Sequence, residues 1–209
     1  VYGGDAITIR NNDFTGGSGL YADDVDGFVI ENNNWIDVRY MVDMWSCSGL
    51  MIGNNTANGM GTDDGLDILD CDGARIANNQ LIGFRYGSTI SESSYVTFLD
   101  NTLKDNYRGA DFYNGPHSTI IGNEFSSNGE LGLLLAQNCN GMLVEKNRFL
   151  NNVLFGLTSA CYGATITLNY FDGNNGNDGT FTELTMQGSD QSATDQWQRD
   201  GFGNYWSDW

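Results

Sequence analysis

The sequence predicts an all-β fold: a right-handed parallel β-helix of about eight coils, with an asparagine ladder and an aromatic C-terminal tail. Three observations carry the prediction. One eight-residue phrase recurs eight times, one column of the repeat is entirely asparagine, and hydrophobic and polar residues alternate before each of those asparagines. The first copy is ITIRNNDF (Ile7 to Phe14). The phrase returns as FVIENNNW, LMIGNNTA, ARIANNQL, VTFLDNTL, STIIGNEF, MLVEKNRF and ATITLNYF, the last ending at Phe171. A repeat of this length is the signature of a solenoid, in which each unit buries its face only against its neighbours.

The invariant column holds Asn12, Asn33, Asn55, Asn79, Asn101, Asn123, Asn147 and Asn169, at steps of 21, 22, 24, 22, 22, 24 and 22 residues. Three residues earlier stands Ile9, Ile30, Ile52, Ile76, Phe98, Ile120, Val144 or Ile166. Two residues later stands Phe14, Trp35, Ala57, Leu81, Leu103, Phe125, Phe149 or Phe171. The alternation before each Asn is that of a short half-buried strand. Asn tolerates the left-handed backbone of a sharp turn. A buried amide needs partners, and the Asn of the next coil supplies them. About 22 residues per coil suits three short strands and three turns. Coils about 4.8 Å apart would give a rod of roughly 38 Å. Right-handed crossovers are the rule for parallel connections.

The domain organisation follows from where the repeat stops. Residues 1–171 read as the β-helix and residues 172–209 as an irregular C-terminal cap whose aromatic ending covers the last apolar coil. Val1 to Arg10 enters as a strand, with no amphipathic helix ahead of it to cover the first coil. That leaves an edge open to further strand pairing.

The formal net charge is −18, from nine basic and 27 acidic residues. Such a chain repels phosphate backbones, so nucleic acid is excluded as a partner. No apolar run reaches the length of a membrane span. The start at Val1 fits a processed, exported chain or a trimmed one.

Cys47, Cys71, Cys139 and Cys161 each lie eight residues before a ladder Asn, in a column otherwise holding Val25, Ser93 and Gly115. The column is small and inward-facing. Cys47 falls beside Cys71 and Cys139 beside Cys161, at a strand spacing that a disulfide accepts. Two readings stay open: two disulfides, implying an oxidising compartment, or two pairs of stacked buried thiols.

The strand before the cysteine column presents a mixed flank. Alternation turns Val42, Met44, Leu66, Ile68, Ile90 and Phe112 inward. It turns Asp43, Trp45, Asp67, Thr89, Asp111 and Tyr113 outward, with Arg39, Tyr40, Asp63, Asp64, Arg85, Tyr86, Tyr107 and Arg108 just upstream.

The repeated coils and the closing Gly203-Asn204-Tyr205-Trp206-Ser207-Asp208 resemble the NosD-like β-helix family, also described as the carbohydrate-binding and sugar-hydrolase type. A GNYWSD ending closes many such domains in archaeal surface proteins. The coil motif spans roughly Ile7 to Phe171 and is common to β-helices; the hexapeptide is short and more specific. The resemblance implies a right-handed β-helix, export and, in many members, contact with polysaccharide. It implies no single activity: some relatives assist metal-site assembly, some act on sugars and some belong to cell envelopes.

Two functions from different classes are expected. The first is an extracellular structural protein of the cell envelope, of sheath or surface-layer type. It would self-associate into a homopolymer through coil ends and faces. The second is a carbohydrate-binding module or a polysaccharide-active hydrolase, lyase or epimerase. Its acid–base residues would come from Asp43, Asp64, Asp67, Asp111, Arg39 and Arg85, since sugar chemistry uses clustered carboxylates. Tyr21, Trp45 and Tyr113 are candidate stacking surfaces for sugar rings, or for a neighbouring subunit. The segment GTDDGLDI (Gly61 to Ile68) has a faint likeness to a polygalacturonase stretch. That family's second acidic pair and Gly-His-Gly are missing, so no roles transfer. Asp172, Asn174, Asp178 and Glu183 have some character of a calcium loop, although Asn177 stands where an EF-hand requires Gly. His117, the single histidine, sits in a turn with no companion ligands.

Overall fold

The computed structural model describes residues 1–176 and 186–207. The chain winds as a right-handed parallel β-helix whose strands fall into three stacked sheets. The first runs from Tyr2–Asp5 through Leu20–Asp26, Val42–Trp45, Leu66–Leu69, Tyr86–Ser91, Arg108–Tyr113, Leu133–Ala136 and Leu157–Ala160 to Gly188–Asp190. The second runs from Thr8–Arg10 to Thr165–Thr167, and the third from Asp13–Thr15 to Tyr205–Trp206. Coils are numbered here by the ladder Asn they contain, so coil 1 holds Asn12 and coil 8 holds Asn169.

The register is that of the repeat. Ile9, Ile30, Ile52, Ile76, Phe98, Ile120, Val144 and Ile166 are Cα partners in succession along the second sheet. Phe14, Trp35, Ala57, Leu81, Leu103, Phe125, Phe149 and Phe171 follow one another along the third. These columns fill the interior with in-line stacks, such as Phe14 on Trp35 at 3.8 Å and Phe149 on Phe171 at 4.7 Å. Stacked aromatic pairs add about 0.5–1.5 kcal/mol beyond the area they bury.

The amide ladder is continuous. Each Asn Oδ1 accepts both the backbone N–H and the Nδ2 of the Asn one coil earlier, as Asn79 does from Asn55 at 3.0 and 2.9 Å. Its Nδ2 also reaches a second-sheet carbonyl of that earlier coil, as Asn79 does to Ile52 at 3.0 Å. The ladder Asn residues are not themselves the left-handed residues, contrary to expectation. Positive φ belongs to the residue before each: Asn11, Asn32, Asn54, Asn78, Asp100, Gly122, Lys146 and Leu168. One residue turns the chain and the next ties it to the neighbouring coil.

The same device operates at a second corner, where the sequence reading had missed it. Asn106, Asn128, Asn152 and Asn174 form another buried ladder that ends on Gln187. Each follows a left-handed Asp105, Ser127, Asn151 or Gly173. Asn174, expected among calcium ligands, is therefore fully buried and its Oδ1 already accepts two N–H groups of Asn152. The third corner carries the cysteine column. All four cysteines are free, buried thiols in the structure. Cys71 Sγ accepts the Cys47 N–H at 3.3 Å and Ser93 Oγ accepts the Cys71 N–H at 2.9 Å, so thiol and hydroxyl replace amide as rungs.

The ending is more regular than the expected irregular cap. Gly188–Asp190 extends the first sheet and Tyr205–Trp206 the third. Asn204 accepts from Asn169 as a further rung, at 3.0 Å. Trp206 stacks on Phe171 at 4.3 Å with Trp197 beside it, so the aromatic residues close the last coil as expected. At the other end Ala6, with φ 55, splits the expected single entry strand in two. The strand expected at Phe181 to Met186 lies almost wholly outside the described residues.

Candidate functional site

The outer face of the first sheet carries one side-chain column in strict register: Tyr21, Asp43, Asp67, Thr89, Asp111, Leu134 and Thr158. Corner residues of coils 2 to 4 lean over it. The result is a groove lined by Arg39, Tyr40, Asp43, Asp63, Asp64, Asp67 and Arg85. Asp43 and Asp67 project from adjacent strands about 4.8 Å apart. Of the residues expected to form one site, the groove gathers Arg39, Asp43, Asp64, Asp67 and Arg85.

Asp111 does not join the groove lining. Alternation turned it to solvent, but its side chain is completely buried. Arg108 Nη1 reaches its Oδ2 at 2.9 Å and Tyr113 Oη donates to the same oxygen at 3.1 Å. Arg108 is held on its other side by Glu130. The Tyr113 hydroxyl is thus tied to a buried carboxylate. Arg108 lies in the flank the sequence marks but not among the expected acid–base residues, and Glu130 lies in neither.

The electrostatics separate the carboxylates. Asp67 is pushed up to about 6, by burial first and then by the neighbouring charges of Asp43 and Asp64. Burial also raises Asp43, against a hydrogen bond from Trp45, and Asp64, against a hydrogen bond from Thr89 Oγ1 at 2.6 Å. Asp111 is raised by burial although Arg108 opposes the shift. Asp43 Oδ1 and Asp111 Oδ1 are buried and have no hydrogen-bond partner. The cations are largely engaged: Arg39 Nε reaches Asp63 at 2.6 Å, and the Arg85 guanidinium lies 4.8 Å from the centre of the Tyr86 ring.

Aromatic rings flank the groove along the rod. Tyr2, Tyr21 and Trp45 form a chain at one end, with centroids 5.6 and 5.9 Å apart. Tyr86 and Tyr107 stack at 6.2 Å on the other side. Tyr21 and Trp45 therefore stand where the sequence put them, beside the carboxylates.

Asp178 and Glu183 lie outside the described residues. Asp172 sits on the outer face of the third sheet. Among the described residues no group of three or more His, Cys, Asp or Glu side chains is placed to hold a metal ion. No helix among them is long and apolar enough to cross a membrane. His117 occupies a left-handed turn and stacks on Tyr95 at 5.3 Å.

A β-solenoid with an acidic, aromatic-flanked groove on one sheet belongs to the class of parallel β-helix proteins. Within it, the chain belongs to the NosD family: the family profile described as "Periplasmic copper-binding protein (NosD)" matches residues 2–209. No curated protein sequence matches the chain. Among solved structures, the periplasmic alginate epimerase AlgG is similar, as a T265N T268M double mutant. Its TM-score is 0.74 at 16% identity, over 95% of this chain and 50% of that one. A second AlgG structure gives 0.71 at 17% identity, over 90% and 48%. The Azotobacter vinelandii mannuronan C-5 epimerase AlgE6 A-module gives 0.69 at 16% identity, over 96% and 58%. At these identities the likeness is one of fold, and the chain spans about half the length of these structures.

The residues present do not fit a copper site. Copper favours thiolate, thioether or imidazole ligands gathered at one point. Here the thiols are buried rungs, with Cys71 and Cys161 pushed up to about 12 chiefly by burial. The single imidazole of His117 is not part of any cluster of Cys, Asp or Glu side chains placed to hold a metal among the described residues.

Proposed function

We propose that this chain binds a polysaccharide along the outer face of its first sheet, outside the cytoplasm, and that Asp67 serves the bound polymer as a proton donor. The observation that carries the reading is the groove itself. It collects Asp43, Asp63, Asp64 and Asp67 with Arg39, Arg85 and Tyr40 from successive coils, and it raises one carboxyl toward neutrality. Chemistry at a glycosidic bond uses a pair of carboxyl groups, one of them raised, and Asp67 is the raised member here. The flanking rings offer flat apolar surface for sugar faces. The named activities of the AlgG and AlgE6 structures and the periplasmic description of the family point the same way. A self-associating envelope rod, the other expectation from the repeats, has no comparable set of converging residues and takes second place.

The test is a panel of neutral, acidic and amino polysaccharides, scored for retention in affinity electrophoresis and for turnover. Asp67→Asn should leave retention of the bound polymer within about twofold while lowering turnover about a hundredfold or more. Retention of no polymer, retention indifferent to Trp45→Ala, or turnover unchanged in Asp67→Asn would refute the reading.

A further inference from the structure

The charges of the groove restrict what it can hold. Four carboxylates face two guanidiniums within it, and Arg39 is already bound to Asp63 at 2.6 Å. Arg85 lies over Tyr86, and Arg108 is occupied by Asp111 and Glu130. A polymer bearing an acidic group on each sugar would bring further negative charge into a partly desolvated site, where such repulsion is poorly screened. Among the described residues no cluster of acidic, His or Cys side chains is placed to recruit a metal ion that would reverse the sign.

A second observation concerns hydrogen bonding. Asp43 Oδ1 is buried at the groove with no donor facing it. No acceptor bond to the Asp67 carboxyl is formed either, although that side chain is half-buried and stands next to Asp43. The buried Asp43 Oδ1 calls for a donor from outside the chain, and a uronate replaces one of its hydroxyl donors with a carboxylate that offers none. Hydroxyls and ammonium groups do.

Resting on the polysaccharide reading above, we infer that the groove selects a glycan without acidic groups, whose hydroxyls or amines donate to Asp43, and rejects polyuronates. This departs from the alginate and mannuronan named for the structural neighbours.

The experiment is calorimetric titration of the intact chain with glucosamine, glucose and uronate oligomers of equal length, at low and physiological salt. The glucosamine and glucose oligomers should each bind at least about tenfold more tightly than the uronate oligomer at both salts. Asp43→Asn should weaken the glucosamine oligomer about fivefold or more. Asp37→Asn, an exposed change at a corner of the third sheet, controls for diffuse attraction to the acidic rod and should leave binding unchanged. Circular dichroism checks that both variants stay folded. A uronate oligomer bound as tightly as the others would overturn the inference and leave the polysaccharide reading standing. Equal losses in Asp43→Asn and Asp37→Asn would also overturn it. Binding of none of the three would sink both.

Discussion

Coils 5 to 8 and coils 2 to 4 are built on one plan and differ at a single corner. In the later coils that corner holds Asn106, Asn128, Asn152 and Asn174, each bonded to the coil above and below. In the earlier coils the corner holds the buried Val38 and Phe84 around Gly59, and Met60 is exposed. Phe84 fills the corner with its ring, against Gly59 and Gly65, where an added Cβ would stand 2.3 and 3.0 Å from it. Apolar anchoring leaves the following residues free of the ladder, and those residues are Arg39, Tyr40, Asp63, Asp64 and Arg85. The groove lies where the second ladder is missing. One half of the rod carries both amide ladders, and the other gives up one of them to present side chains.

Substitutions can break this contrast. Asn128→Ala should have the largest effect, about 3–5 kcal/mol in equilibrium urea unfolding. It strips partners from Asn106 N–H, Asn152 Oδ1 and Leu103 O inside the core, at about 1–3 kcal/mol each. Asn12→Ala, at the exposed end of the first ladder, should cost no more than about 1 kcal/mol.

Arg108→Met tests the boundary between the halves. It leaves the fully buried Asp111 without its cation and should cost about 3 kcal/mol in the same measurement.

The pH dependence of unfolding probes the groove half. Asp67 is raised to about 6 from 3.8, so the folded chain holds a proton that the unfolded chain has released between those values. Stability must then fall as pH rises through that window and level off above it. With allowance for solvent screening at a half-buried site, the contribution is about 1–2 kcal/mol. Asp43, Asp64 and Asp111 are shifted in the same direction and steepen the trend. Asp67→Asn should flatten part of it, read as melting temperature from pH 4 to 7.

The smallest effect should be a gain. Lys146 occupies the left-handed position that Asn11, Asn32, Asn54 and Asn78 hold in earlier coils. Lys146→Asn should raise stability by about 1 kcal/mol, seen as a higher melting temperature.

The first ladder, the aromatic stacks and the inward thiol column were legible because each is a column at constant spacing. The second ladder was equally periodic, five residues after the first, but it begins only at Asn106 and a search for eight-fold repeats passes over it. The groove left a fainter signal. The step from Asn55 to Asn79 is 24 residues instead of 22, and the extra length falls in the corner that carries Asp63 and Asp64. The burial of Asp111 was not readable, because alternation assigns a face but says nothing of an Arg108 folding back from the same strand to cover it. The left-handed residues were placed one position late for a related reason. Two adjacent residues share the corner, and composition alone favours Asn for both turning and bonding.

Because every coil repeats the same hydrogen-bonding terminals at its upper and lower rims, the rod is a splice-tolerant object. Duplicating or excising one complete turn among coils 6 and 7 would rejoin matching rims and leave the groove untouched. An insertion one residue too long would instead throw a whole strand face from interior to solvent.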